Sequence, residues 1–90
     1  MKHYVVVLEW CTEGDNGSNV LGVTHDFYTA KQIFNDTIEE ERELAANNGW
    51  AIYEHTDTVF DAGEDGFYCN NHSKTYIQEV IWHEGNNISN

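Results

Sequence analysis

Residues 28–50, YTAKQIFNDTIEEERELAANNGW, form the one segment of this chain in which both ends of a helix are marked. Thr29 and Gln32 have the spacing of a capping box, in which the threonine side chain accepts a hydrogen bond from the third helical N–H. Tyr28 and Ile33 fit the hydrophobic staple that accompanies such a box. At the other end, Asn48-Gly49 is typical of the left-handed residue that ends a helix, after which Trp50 can fold back onto the last turn.

The two faces of this predicted helix differ in chemistry. At about 100° per residue, an apolar arc is formed by Ala30, Ile33, Phe34, Ile38, Leu44 and Ala45. The other arc is polar and mostly acidic, so we expect a helix that packs one face on an apolar layer and shows an acidic face to water. Glu41 breaks the pattern because it lies at the centre of the apolar arc. Three interpretations stay open. The Glu41 side chain reaches the edge of the apolar arc or a lysine, or it points into a pocket that faces the sheet. In the third, the rotational phase assigned to the helix is wrong and Glu41 does not lie at the centre of the apolar arc.

Four other segments have the pattern of β-strands: residues 3–10, 20–25, 51–56 and 74–84. The first is apolar almost throughout, which indicates an interior strand or one covered on both faces. Gly22 in the second predicts a bulge or a close approach of another backbone. Residues 12–19 are predicted to be a turn and residues 57–71 a long connection that has room for two very short strands. The predicted fold is therefore α+β: a ββαββ arrangement with a mostly antiparallel sheet and one helix packed on one face.

The whole chain, residues 1–90, is predicted to be a single domain, with residues 85–90 as a flexible tail. No signal peptide and no apolar run of membrane-spanning length is evident, so we expect a cytoplasmic protein, in a bacterium or a phage-infected host cell. The two cysteines, Cys11 and Cys69, are expected to be reduced.

Charge is the most unusual property of the sequence. Sixteen acidic residues against four Lys and Arg give a formal net charge of −12. Direct binding of nucleic acid or of an anionic membrane needs clustered Lys and Arg, so we expect neither. A basic protein surface would instead be attracted.

The patterns of catalytic and metal sites are weak. The five histidines show no H-x-x-x-H spacing. Cys69 with His72 is the one close Cys/His pair, and the sequence has no second pair of ligands to complete a zinc site. Nothing in the sequence would lower the pKa of a thiol beside a histidine, and there is no glycine-rich phosphate loop. We therefore predict no metal site, no cofactor and no enzyme activity.

Acidic residues are concentrated where basic ones are missing, since no Lys or Arg lies between Arg42 and Lys74. This interval and the preceding helix turns predict a partner-binding surface made of Asp36, Glu39, Glu40, Glu43, Glu54, Asp57, Asp61, Glu64 and Asp65. Nearby aromatic residues would supply contact area: Tyr53, Phe60, Phe67, Tyr68 and Trp82. The competing interpretation is that the acidity serves solubility alone.

The run VVVLEW, then LGVTHDFYTAKQIF, then the order NNGW, AGEDG and YIQEV resembles small uncharacterised acidic proteins of low-GC Gram-positive bacteria and their phages. By composition the chain is similar to phage-encoded inhibitors of host defence, including anti-CRISPR proteins and DNA mimics. The resemblance implies a protein that binds and inhibits a basic nucleic-acid-binding protein. It assigns no role to any residue.

Two alternatives stay open at this point. One is a small-ligand- or metal-binding domain with a pocket between the helix and the sheet near Glu41. The other is a structural homodimer that uses the edge of the last predicted strand or the face carrying Trp82.

Overall fold

The computed structural model describes residues 2–12, 15–64 and 71–81. It contains five strands and one helix: β1 (Lys2–Thr12), β2 (Asp15–Thr24), α1 (Phe27–Asn48), β3 (Ala51–His55), β4 (Val59–Gly63) and β5 (His72–Ile81). All pairings are antiparallel, and the strand order is β2-β1-β5-β4-β3. The protein is therefore an α+β structure of two layers, as predicted, but its element order is ββαβββ.

One face of the sheet is covered by α1. Buried Phe34, Ile38 and Ala45 on the helix pack in one cluster with the strand residues Val6 and Phe60. Because strand residues alternate between faces, the neighbours of Val6 and Phe60 point away from the helix. The prediction that the first strand is an interior one is confirmed, since β1 pairs with β2 on one side and β5 on the other.

The helix begins three residues earlier than the capping box predicted, at Phe27. Asp26 is the N-cap, and its side chain accepts hydrogen bonds from the Tyr28 N–H at 3.1 Å and the Thr29 hydroxyl at 3.1 Å. A carboxylate that can accept both bonds competes better for this position than Thr29 does. The predicted staple is also wrong, because the Tyr28 side chain is 82% exposed.

The end of α1 is as predicted. Gly49 adopts the left-handed conformation with φ of 70°, and the Trp50 N–H donates to the Ala45 carbonyl at 2.8 Å. This bond satisfies a carbonyl that the helix itself leaves unpaired. Trp50 packs against the core cluster, so the chain turns directly from the helix into β3.

A bulge in β2 confirms the prediction made for Gly22. The register passes from Val6 opposite Gly22 to Val7 opposite Val20, so Leu21 is an extra residue in β2. The helix also comes close here, since a Cβ atom on Gly22 would lie 2.7 Å from Ile33 Cδ1. Glycine therefore allows α1 to approach the sheet.

Three strand predictions need correction. β2 begins at Asp15, inside the segment predicted as a turn, because its residues pair with β1 through backbone groups whatever their polarity. β4 lies in the predicted long connection, where Phe60 and Ala62 face the helix. The last strand lies between β1 and β4, so its edges are not available for a homodimer. Residues 82–84 of that predicted strand, the tail 85–90 and Trp82 lie outside the described residues.

Among the residues that the structure describes, no helix has both the length and the apolar character needed to cross a bilayer.

We expect Gly63→Ala to destabilise the protein by about 1–3 kcal/mol, because the added methyl group would overpack the β4–β5 contact. A Cβ on Gly63 would lie 2.3 Å from His72 Cβ and 2.9 Å from the Asn71 carbonyl oxygen, and neither neighbour can move without its backbone. Gly22→Ala is the matched control, because the Ile33 methyl that it meets can rotate away. Urea unfolding measures both variants, and an equal loss would contradict this account.

Candidate interaction surface

Four carboxylates form a compact stripe on the side of α1 that faces away from the sheet. Asp36, Glu39, Glu40 and Glu43 have the spacing i, i+3, i+4, i+7, which places them within an arc of about 100°. All four are exposed. We call these residues the acidic helix stripe. It is opposite the line of Ala30, Phe34 and Ala45, which are buried against the sheet.

The acidic helix stripe is not neutralised within the protein. Across residues 2–12, 15–64 and 71–81, none of its carboxylates forms an ion pair. Each like-charged pair at i, i+3 or i, i+4 destabilises a helix by about 0.2–0.5 kcal/mol. The stripe contains four such pairs, so it lowers the stability of the helix that carries it.

Most of the basic residues are engaged elsewhere. Lys31 Nζ donates to the Asp57 carbonyl and lies 4.7 Å from the centroid of the Phe34 ring. Lys2 pairs with Glu79 at 3.5 Å, and Lys74 Nζ lies 5.6 Å from the centroid of the Tyr76 ring. Lys31 thus contacts the β3–β4 turn and its own helix, and Lys2 and Lys74 contact strand residues. Arg42 lies on α1 three residues after Glu39 and forms no ion pair within the described residues.

Four of the remaining predicted acidic residues are described by the structure, and they do not join this stripe. Glu54 and Asp61 are register partners on β3 and β4, on the face of the sheet opposite the helix. Asp57 lies in the β3–β4 turn beside α1, held there by Lys31. Glu64 follows β4 and accepts a hydrogen bond from the Asn71 N–H at 3.2 Å. Asp65 lies outside the described residues.

Two of the aromatic residues predicted to give contact area, Tyr53 and Phe60, are described by the structure, and neither lies on the acidic helix stripe. Phe60 is fully buried in the core, so the prediction that it supplies contact area for a partner is wrong. It alternates with Asp61 along β4 and therefore faces the helix. Tyr53 is 54% exposed and its hydroxyl donates to the Glu64 carbonyl at 2.6 Å. Phe67, Tyr68 and Trp82 lie outside the described ranges.

Glu41 points at the sheet, as its position on the apolar arc allowed. Its carboxylate accepts a hydrogen bond of 2.6 Å from the hydroxyl of Ser73, which is 5% exposed. Two residues along β5, the Thr75 hydroxyl is fully buried and has no partner within the described residues. The Glu41 carboxylate therefore forms a hydrogen bond between the helix and the sheet. The sequence pattern did not decide between this role and the alternatives.

The sheet face opposite the helix has its own polar contacts. The Tyr76 hydroxyl donates to Glu9 Oε2 at 2.8 Å. This hydrogen bond, together with desolvation and the negative charge of Glu9, raises the pKa of the Tyr76 phenol above its ordinary value of 10.0.

Two shallow clefts lie beside this pair. A cleft of about 450 Å³ is lined by Glu9, Trp10, Cys11, Asn16, Gly17, Ser18 and His72. One of about 350 Å³ is lined by Glu9, Val59, Lys74, Tyr76, Ile77 and Gln78.

No group of three or more metal-ligating side chains occurs in the part of the chain that the structure describes. Cys11 is buried, and Cys69, the thiol considered with His72, lies outside that part. Comparison with protein-family models, with curated proteins and with solved structures gives no match to this chain. The case for a function therefore depends on the geometry of the chain itself.

Salt should stabilise the protein, because it screens the repulsion within the acidic helix stripe. Glu40→Gln should raise the Tm in low salt by about 2–5 °C, since it removes like-charge pairs with Asp36 and Glu43. Asp15→Asn, at the start of β2, removes one charge away from the stripe and is the control. Thermal melts at 10 and 500 mM NaCl measure both effects. A larger gain from Asp15→Asn would show that net charge matters and the stripe does not.

Ser73→Ala should destabilise the protein by about 1–2 kcal/mol, because it leaves the half-buried Glu41 carboxylate without its donor. Thr75→Val should be neutral or stabilising, because it replaces an unpartnered buried hydroxyl with a methyl group of similar shape. Chemical denaturation of the two variants compares them directly. A loss from Thr75→Val as large as that from Ser73→Ala would contradict the assignment.

Proposed function

We propose that this protein is a small acidic interaction module that binds a basic, nucleic-acid-binding protein and blocks its nucleic-acid site. The observation that carries the proposal is the acidic helix stripe: exposed carboxylates on one rigid helix, without basic partners in the described chain. An arrangement that lowers the stability of its own helix is explained if a cationic partner supplies the missing charges.

The geometry of the stripe suits a row of cations. Neighbouring residues at i, i+3 and i, i+4 have Cβ atoms about 5–6 Å apart, and seven residues of helix span about 10 Å. Because α1 is held by its core contacts, the backbone that carries these carboxylates is already ordered when a partner docks, and only the side chains lose freedom. Lys and Arg side chains that otherwise hold successive phosphates could pair with them instead.

Long-range attraction adds to these contacts. A net charge of −12 on 90 residues steers a basic partner toward the protein before contact and makes the association rate sensitive to salt. Asp57, in the turn beside α1, can extend the contact area next to the stripe. Glu54 and Asp61 belong to the opposite face, so one flat partner surface does not reach them and the stripe together.

The class of partner follows from this chemistry. The surface suits a protein whose own ligand is a phosphate backbone, which is the relation between a DNA mimic and its target. The acidity and small size are similar to those of phage-encoded inhibitors of host defence, anti-CRISPR proteins among them. We therefore propose inhibition of such a nuclease or nucleic-acid-binding factor in the cytoplasm of a bacterium or infected host cell, with no chemistry performed by this chain.

A ligand-binding domain with a pocket at Glu41 is the less supported alternative. The Glu41 carboxylate is hydrogen-bonded to Ser73, and the neighbouring helix positions Phe34, Ile38 and Ala45 fill the contact with the sheet. The two clefts described above are lined by β-strand residues, and Glu41 is not among them.

Capture from bacterial lysate tests the proposal, with bound proteins identified by mass spectrometry at 50 and 500 mM NaCl. The bait is compared with a stripe variant carrying Asp36→Asn, Glu39→Gln, Glu40→Gln and Glu43→Gln. We expect a basic nucleic-acid-binding partner that is retained at low salt, is displaced by duplex DNA, and binds the stripe variant at least about tenfold more weakly.

The matched control carries Asp15→Asn, Glu54→Gln, Asp61→Asn and Glu64→Gln, so it has the same net charge as the stripe variant. It should retain most of the binding. Equal losses in the two variants would mean that net charge, and not the stripe, determines the capture. A partner that duplex DNA does not displace would contradict occlusion of a nucleic-acid site.

A further inference from the structure

The sheet face opposite α1 carries a continuous apolar patch over its β2, β1, β5 and β4 strands. Successive rows of register partners across the sheet define it. One row is Val20, Val7, Tyr76 and Val59, and the next is Val23, Val5 and Gln78. Val80 on β5, opposite His3, extends the patch. We call these residues, Val5, Val7, Val20, Val23, Val59, Tyr76, Gln78 and Val80, the valine face.

The valine face is not part of the helix-side core. Its residues alternate with Tyr4, Val6 and Ile77, which belong to or pack against the core cluster under α1. Val20 is 64% exposed, Val23 59% and Val80 38%. Valine suits a strand wherever it stands, and single exposed valines are ordinary. Six of them in adjacent rows are different, because contiguous apolar patches of several hundred Å² mark interaction surfaces.

We propose that the valine face binds a second copy of this chain, sheet against sheet, in a symmetric dimer. This inference is independent of the function proposed above. Charge is the first argument for a second copy. The protein has a net charge of −12, so two copies repel each other over most of their surfaces. The valine face contains no Asp or Glu, so two copies can approach there with the least repulsion.

The polar border of the valine face gives a second argument. Across the sheet, the next row is Ser18, Glu9, Lys74, Asp61 and Glu54. Lys74 thus stands between the carboxylates of Glu9 and Asp61. In a two-fold arrangement each copy presents this same alternation to the other, so a lysine of one copy can meet a carboxylate of its partner. The border has one lysine to three carboxylates, so Lys74 offsets part of the repulsion between two copies there, whereas the acidic helix stripe contains no lysine.

Area sets the expected strength. Neighbouring strands lie about 4.8 Å apart, and successive residues of a strand lie about 3.4 Å apart. The valine face with its border therefore measures about 20 by 20 Å, which is about 400 Å² in projection. Sheets that pack face to face lie about 10 Å apart and bury such faces. The contact is at the small end of specific interfaces, so the dimer should dissociate in the micromolar range.

Sedimentation equilibrium of the full chain in 150 mM NaCl, from about 1 to 500 µM, tests the dimer at the concentrations that such an interface implies. The average mass should rise from the 10.4 kDa of the monomer toward twice that value. Replacing Val20 and Val23 with lysine places charge on the face at exposed edge-strand positions and should weaken the dimer at least about tenfold. The control is Ile52→Lys, since Ile52 is a β-branched residue of the other edge strand, 53% exposed and outside the valine face.

A mixed sample of methyl-labelled and unlabelled protein adds a direct measurement. Intermolecular NOEs from the Val5 and Val7 methyl groups, which all variants retain, should appear in the wild type and in Ile52→Lys, and disappear in the lysine double variant. A monomeric wild type at 500 µM would overturn the proposal, and cover of the face by another segment of the chain would give that result. A dimer unaffected by Val20→Lys with Val23→Lys would also overturn it. Circular dichroism confirms that each variant is folded.

Discussion

The contact between the apolar arc of α1 and one face of the sheet organises the molecule. Phe34 and Phe60 are fully buried on either side of this contact, and Val6 of the interior strand β1 lies with them. Burial of such side chains is the main favourable contribution to folding, at about 1.5–3 kcal/mol for each. Once this face of the helix is fixed, the carboxylates on its opposite side must point to water. Once this face of the sheet is covered, the alternate strand residues must lie on the other face.

The two outer surfaces created in this way have different chemistry. The helix side carries the acidic helix stripe, and the opposite side carries apolar side chains with a mixed-charge border. Each surface is unfavourable for the isolated protein: like charges repel on one, and apolar area contacts water on the other. Net charge helps to keep the protein dissolved, but solubility alone does not require like charges on adjacent turns of one helix face or apolar side chains on an open sheet face. The proposed contacts account for both surfaces: a cationic partner for the acidic helix stripe, and an apolar partner surface for the valine face.

Much of the fold could be predicted because periodicity and end signals act locally. The helix ending at Gly49, the interior position of the first strand and the bulge at Gly22 follow from residue types and spacing. The N-cap was misplaced because Thr29 and Asp26 compete over three residues, and only the folded geometry shows which one binds. β4 was not counted in the predicted ββαββ order because its five residues include Asp61 and Gly63, so its pairing depends on neighbouring strands more than on its own composition.

The same limit applies to the candidate surface. The sequence shows that acidic residues are dense between positions 36 and 65, but not that the sheet separates them. Asp61 and Phe60 are adjacent in the chain and lie on opposite faces of the sheet. Counting charges along the sequence therefore placed on one surface acidic residues that lie on different surfaces of the folded protein. The stripe itself could be found from helical spacing alone. The valine face could not, because it needs the strand order and the register of four strands.

Both outer edges of the sheet are irregular, which matters for how the protein behaves when concentrated. β2 carries Leu21 as an extra residue, and β3 has a register shift between Ile52 and Glu54 that leaves Tyr53 extra. A free strand edge with evenly spaced N–H and C=O groups is a template on which other molecules can add strands and grow into fibres. A bulge breaks that spacing and increases the local twist. With an interruption on each edge, this sheet resists extension into fibrils even though both edge strands are open to solvent.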